Sequence, residues 1–257
     1  MNSKSAKLEA FGRLLDIMDE LREKCPWDQK QTFETLRHLT IEETYELGDA
    51  ILKNDLTEIK KELGDLLLHI VFYAKIGSEK NAFDIANVAE DIAKKLIYRH
   101  PHIYGDVTVE NEADVKKNWE ALKLSEGKKS VLEGVPKGLP ALIKAQRMQE
   151  KAAGVGFDWS EKQQVWGKFQ EELGELDEAL ISGSPEDVEA EFGDVLFSLI
   201  NYARFIKVNP ESALERTNQK FLIRFQFIEK EAKRQGVSVN ELSLEQMEAI
   251  WQRAKGL

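Results

Sequence analysis

Apolar residues recur every three or four positions through nearly the whole chain, the spacing that places them on one face of a helix. Leu8, Phe11, Leu14, Leu15, Met18 and Leu21 predict a helix from Lys7 to Arg22, preceded by a polar, frayed stretch over residues 1–6. Cys25-Pro26-Trp27-Asp28 breaks it, since proline restricts the residue before it, and Asp28 is the expected cap of the following turn. Phe33, Leu36, Leu39 and Ile41 lead into a second helix that runs toward Ile51. Asn54-Asp55 opens a third, with Leu56, Ile59, Leu63, Leu66, Leu67 and Ile70 as its stripe. Gly48 and Gly64 lie inside these patterns. Each costs about 1 kcal/mol relative to alanine in a helix, so both are read as points of close packing.

Further helices are expected from Ile85 to Arg99, with Asp84 at the start, and from Glu112 to Leu122. Glycines and prolines then punctuate Lys123 to Pro140, which reads as a linker. Helical spacing resumes from Leu139 to Ala153, from Ser160 to Ile181 and after Ser182-Gly183-Ser184-Pro185. Pro210 suits the first turn of the next helix. Val237 to Leu242 is a brief interruption or extended piece, and Ser243 to Ala254 closes the chain with a helix containing Trp251. No convincing set of alternating strands appears, so the expected class is all-α. The expected division is an N-terminal unit over 1–122, a linker over 123–140 and a C-terminal unit over 141–257.

One polar pattern interrupts the stripes twice. Glu42-Glu43-x-x-Glu46 is followed by Glu62-x-x-Asp65, and Glu171-Glu172-x-x-Glu175 by Glu191-x-x-Asp194. The second constellation lies 129 residues after the first at every position, which points to two related units. Residues three apart share a helix face, about 4.5 Å apart along the axis. Two helices turned back on each other would therefore bring four carboxylates together. Such a group repels itself unless cations neutralise it. Ligation by oxygen alone suits Mg²⁺, with Mn²⁺ as a substitute, and Mg²⁺ sites commonly coexist with substrate phosphates. A lone Glu-x-x-Glu would be an ordinary solvated helix face; the paired, repeated clusters favour a metal site.

Composition narrows the class. The 257-residue chain has a net charge of -10 and no basic tract, which argues against a broad nucleic-acid-binding face. Cys25 is the single cysteine, so an intramolecular disulfide is impossible; a buried thiol is a commoner role than a nucleophile without a paired base. His100-Pro101-His102 reads as turn packing rather than a metal pair. No long apolar segment opens the sequence, so neither a signal peptide nor a membrane anchor is expected, and a cytoplasmic protein is the simplest account.

The two units differ where it matters. At the offset of 129, Phe72 pairs with Asn201, which lies near the face that carries Asp194. At an offset of 125, Lys95 and Arg99 pair with Lys220 and Arg224, while Ala93 replaces Asn218. Phe72 cannot make the hydrogen bonds open to Asn201. The first set, Glu43, Glu46, Glu62 and Asp65, is therefore expected to be a weaker or structural site, and the second unit the catalytic one.

The whole chain resembles the long, two-domain MazG nucleoside triphosphate pyrophosphohydrolases. The resemblance runs from Arg22 to Trp251. It rests on Cys25-Pro26-Trp27-Asp28, both acidic constellations, Lys95-Leu96-x-x-Arg99-His100-Pro101-His102, Leu132-Glu133-Gly134-Val135-Pro136 and Asn218-x-Lys220-Phe221-x-x-Arg224-Phe225. It implies tandem helical domains of the all-α NTP pyrophosphatase type, a homodimer, and Mg²⁺-dependent hydrolysis of NTPs and dNTPs to nucleoside monophosphate and pyrophosphate. It also implies Glu172, Glu175, Glu191 and Asp194 as metal ligands, with Glu171 activating water or supporting the site. Lys220, Arg224 and Asn218 would hold the phosphate tail, and Trp251 the base; Asn201, singled out by its position after Asp194, could bind a metal-bound water, the substrate or a carboxylate. A deoxyuridine-nucleotide-selective relative and a non-catalytic nucleotide sensor are the alternatives.

Overall fold

The computed structural model describes residues 1–111, 114–115, 118–119, 122 and 130–256. Among them are ten helices and no strand. No helix among these residues is long and apolar enough to cross a membrane. The chain divides into two compact units, Met1–Asn111 and Glu112–Leu257.

In the first unit, α1 (Lys4–Lys24) starts earlier than expected, because the Ser3 hydroxyl accepts a hydrogen bond from the Ala6 N–H and suppresses fraying. Asp28 does not cap the next turn. It begins a single 3₁₀ turn, Asp28–Lys30, with Trp27 before it, while the Asp28 and Gln31 carbonyls accept from Arg22 Nη1. Arg22 also forms a two-pronged pair with Glu79, at 2.9 and 2.5 Å, tying α1 to the far end of α3. A Thr32–Thr35 capping box opens α2 (Phe33–Lys53). Asn54, at φ 54°, reverses the chain, and Asp55 caps α3 (Leu56–Glu79). Met18, Leu36, Val71, Phe72 and Ile76 form the core between α1, α2 and α3. Asp84 and Asn87 cap α4 (Ile85–Arg99), and Pro101 opens the one-turn α5 (Pro101–Tyr104). His100 Nδ1 lies 2.6 Å from the Leu96 carbonyl and its ring 5.6 Å from that of His102, so the pair packs a turn. Cys25 is half-buried.

The expected helix over 112–122 falls largely outside the described residues, as do 123–129 of the expected linker. Val131–Gly134 forms a 3₁₀ turn that packs against α6 (Ala141–Ala153) within the second unit. Next come α7 (Lys162–Ser182) and α8 (Pro185–Phe205), the most extensively packed pair in the unit. Ser184 and Asp187 cap α8 reciprocally, with Pro185 in its first turn. Pro210 likewise opens α9 (Pro210–Arg234). Gly236, at φ 74°, ends it, and Val237 to Leu242 contains a 3₁₀ turn rather than an extended piece. Ser243 caps α10 (Leu244–Ala254). Ile228, Ala232, Leu242 and Ile250 hold α9 and α10 together.

The expected role of two glycines is overturned. A Cβ on Gly48 or Gly64 would meet nothing within 4 Å, so neither permits close packing inside its unit. Close approach is required instead at Gly77, where a Cβ would meet the Phe83 ring and carbonyl, and at Gly183, between α7 and α8, where it would lie 2.7 Å from the Ala179 carbonyl oxygen. Gly183→Ala should therefore destabilise the protein by about 1–3 kcal/mol, as overpacking does. Gly174, also on α7, faces open space, so Gly174→Ala should be neutral or stabilising by up to about 1 kcal/mol. Urea unfolding of both variants beside the parent protein checks the contrast.

Candidate active site

The α7–α8 hairpin assembles the candidate site from a few helical turns. Its tight turn fixes the register of the two helices, so the Glu-x-x-Glu of α7 faces the Glu-x-x-Asp of α8. Glu172, Glu175 and Glu191 each offer a carboxylate oxygen within 4.8 Å of the others. Glu172 is 8% exposed, while Glu175 is open to solvent. Asp194 stands outside this triad. It shares with Glu172 the wall of an adjoining cavity of about 670 Å³.

Lys168 partly neutralises the cluster. Its Nζ lies 2.8 Å from both Glu171 Oε1 and Glu172 Oε1. These two hydrogen bonds raise the ammonium pKa further above its ordinary value. The compensation is incomplete. Desolvation beside the neighbouring side chains, then the hydrogen bond and negative charge of Glu172, raise the Glu175 carboxyl above its ordinary range, with Glu191 adding to the effect. A site of oxygen donors whose own charges oppose one another fits a hard divalent cation.

The cavity runs from this charged end into apolar ground. Lys168, Glu172, Asp194 and Asn201 lie at one part of its wall, and Met148, Ala152, Phe157, Trp159, Val165 and Phe197 supply most of the rest. Arg204 secures the loop that carries the two exposed aromatic residues: its guanidinium donates to both Asp158 oxygens, at 2.8 and 2.5 Å. It also donates to Asn201 Oδ1 at 3.2 and 2.9 Å.

Among the described residues, no hydrogen bond or ion pair joins the phosphate-binding candidates to the carboxylates. Asn218 Nδ2 donates to Glu215 on the same helix at 3.2 Å. Lys220 is exposed on α9. Arg224 lies over the Trp251 ring, 5.4 Å from its centroid. Trp251 in turn packs against Phe221 with a centroid separation of 5.3 Å, as part of the α9–α10 core.

The first unit repeats the carboxylates but not their surroundings. Glu43, Glu46 and Glu62 also come within 4.8 Å. Burial first, then the charges of Asp65, Glu46 and Glu62, raise the Glu43 carboxyl. Lys61 Nζ holds Glu62 Oε1 at 2.8 Å, and Glu62 Oε2 is buried with no hydrogen-bond partner. Phe72, where the second unit has Asn201, is 2% exposed within the core. His69, where the second unit has Ser198, is buried, and that burial depresses its imidazole pKa.

Lys168, Gln149 and the Asp158–Arg204 pair escaped the sequence reading. Lys168 had a signal, since it precedes the two glutamates by three and four positions. The others did not, because the contacts that define them join residues about fifty positions apart.

Comparison with known proteins agrees with this arrangement. The MazG nucleotide pyrophosphohydrolase domain matches twice, at residues 31–104 and 162–226. A Thermotoga maritima protein named nucleoside triphosphate pyrophosphohydrolase/pyrophosphatase MazG is 44% identical over 251 residues, covering 96% of each chain. The Escherichia coli K12 nucleoside triphosphate pyrophosphohydrolase is 40% identical over 259 residues, covering 96% of this chain and 98% of its own. An uncharacterised Bacillus subtilis protein, YabN, is 45% identical over 252 residues, which cover 95% of this chain and 51% of YabN. With an acidic hairpin in each unit and a family match over each hairpin, the chain belongs to the MazG nucleotide pyrophosphohydrolases.

Proposed function

We propose that this MazG-family enzyme hydrolyses nucleoside triphosphates, ribose and deoxyribose forms alike, to nucleoside monophosphate and pyrophosphate, using Mg²⁺ in the second unit. The observation that carries the reading is the Glu172–Glu175–Glu191 triad beside a cavity large enough for a small molecule. These three residues, with Asp194, would hold the cation. When bound, Mg²⁺ supplies Lewis-acid polarisation of the α-phosphoryl group and offsets the charge of the phosphates.

The chain's own residues do the rest. Glu171 lies outside the triad, where it can accept a proton from the attacking water. A water oxygen bonds to the α-phosphorus, the bond to the bridging oxygen breaks, and pyrophosphate leaves with the electron pair. Lys168 stays protonated across the physiological range and fixes the Glu171 and Glu172 carboxylates. Lys220 and Arg224, four apart on α9, offer two cations on one helix face for the triphosphate tail.

The enzyme would work as a homodimer. Leu63, Leu67 and Ile70 on α3 are 52, 37 and 47% exposed, and their counterparts Phe192, Leu196 and Leu199 on α8 are 54, 45 and 43% exposed. Two matching apolar stripes beside the acidic clusters suit burial against another chain.

Product analysis after incubation with each NTP and dNTP tests the reaction: nucleoside monophosphate and pyrophosphate in Mg²⁺, and nothing with chelator, is the expected outcome. Nucleoside diphosphate and orthophosphate would refute it. Glu172→Gln should reduce kcat/KM by about a hundredfold or more, since it removes a cation ligand. Glu43→Gln should retain most of the activity, and the opposite pattern would move catalysis to the first unit.

Stability should report the cluster's repulsion. A carboxyl whose pKa is raised by folding opposes the fold when ionised. That opposition is absent below the ordinary value of 4.5 and complete above the raised value. In chelator at neutral pH, Glu175→Gln should therefore melt at a higher temperature than the parent. The two melting curves should converge as the pH falls through 4.5. Mg²⁺ should raise the melting temperature of the parent more than that of the variant.

A further inference from the structure

Sequence spacing leaves open what Asn201 binds, and the fold decides which end of its amide is offered. Asn201 lies one turn beyond Phe197 and Ser198 on the face of α8 that lines the cavity with Asp194. Arg204, in the last turn of α8, donates to Asn201 Oδ1 through Nε at 3.2 Å and through Nη2 at 2.9 Å. A guanidinium has donors and no acceptor, so only the amide oxygen can meet it. Turning the amide over would set N–H groups against N–H groups. Nδ2 is the end left over. It donates to no partner among the described residues, and it stays open to solvent.

Arg204 is itself held. Its Nη1 and Nη2 donate to the two Asp158 oxygens at 2.8 and 2.5 Å. Asp158 Oδ1 also accepts from the Trp159 N–H at 2.9 Å, and the guanidinium carbon lies 4.6 Å from the Phe205 ring centroid. A planar fork engaged on both sides has one orientation. The cavity face of α8 is tied down as well, since Gln149 Nε2 on α6 donates to the Phe197 carbonyl at 2.8 Å. The first unit lacks the whole arrangement. At the offset of 129, Phe72 stands for Asn201 and Lys75 for Arg204. Phe72 fills the core, and Lys75 pairs with Asp19 on α1 at 2.7 Å. Amide and guanidinium are replaced together, as the members of one working pair would be.

The free donor narrows the ligand. A divalent cation needs a lone pair, and Asn201 Oδ1 already accepts two hydrogen bonds. A cation-bound water presents hydrogens and needs an acceptor. No hydrogen bond joins Asn201 to Glu172 or Asp194 among the described residues. What remains is an acceptor oxygen on the substrate. We propose that Arg204 is a positioning residue: buttressed by Asp158, it turns the Asn201 amide so that Nδ2 donates to a sugar or phosphate oxygen of the bound nucleotide. The proposal rests on the nucleotide reading above and gives Asn201 one role out of the three that its spacing allows.

Asn201→Asp separates positioning from fastening. It keeps an oxygen for Arg204, now charged, so the full-length variant should melt close to the parent. It presents an acceptor where the parent presents a donor. With saturating Mg²⁺, its kcat/KM for ATP should fall about tenfold or more, as should that of Asn201→Ala. Arg204→Lys keeps the charge and loses the fork. It should lower kcat/KM about fivefold in the parent and less than about twofold in the Asn201→Ala background, because the two residues act through one bond. A penalty in Asn201→Ala that vanishes with 2′,3′-dideoxyATP would uphold the proposal with a sugar oxygen as acceptor, and one that persists would uphold it with a phosphate oxygen. Unchanged kcat/KM in Asn201→Asp, or an equal effect of Arg204→Lys in both backgrounds, would overturn the proposal and leave the pyrophosphohydrolase reading standing. Failure of the parent to hydrolyse ATP, or cleavage to the diphosphate, would sink that reading and the proposal with it.

Discussion

Three carboxylates within 4.8 Å repel one another, and the fold has to hold them there. In the second unit that task falls to the α7–α8 hairpin. Gly183 lets the chain turn back where a side chain would strike the Ala179 carbonyl, and the Ser184–Asp187 capping box starts α8 at once. Register then follows from helical geometry. Glu172 and Glu175 occupy one face of α7, and Glu191 meets them from α8. Lys168 relieves part of the repulsion without closing the site, because its ammonium is already shared between Glu171 and Glu172. The remaining imbalance is what makes the site receptive to a divalent cation.

The same constraint is met in the first unit, where Lys61 takes the compensating role. The two units part company one to two turns beyond the carboxylates. Phe72 joins Met18, Leu36, Val71 and Ile76 in a continuous core, and the Arg22 guanidinium lies 5.5 Å from its ring centroid. Asn201 instead contacts Arg204 and lines a cavity. An aromatic side chain at this position fills space, whereas an amide leaves it open and polar. The carboxylate cluster therefore occurs twice, and the apolar cavity lies beside the one in the second unit.

The helices, their caps and the acidic repeat were legible in the sequence. Helix periodicity and capping depend on residues within a few positions of one another, so Asp55, Asp84, Pro185, Pro210 and Ser243 could be placed without a fold. The local errors have equally local causes. Ser3 captured an amide and extended α1, and Asp28 lies inside a 3₁₀ turn instead of capping it. Gly48 and Gly64 were misread because an amino-acid type does not reveal which way a helix faces.

What the sequence determined by itself was the all-α class, the two related units and the carboxylates most suited to a cation. Tertiary structure decided which atoms meet. It drew Asp158 to Arg204 and Gln149 to the Phe197 carbonyl across about fifty residues. It gathered three carboxylates and left Asp194 on the cavity wall, and it set the Arg224 guanidinium over the Trp251 ring. Helical spacing repeats over a turn and can be counted along a chain. The environment of a buried oxygen depends on every element packed around it, and that exists only once the helices have come together.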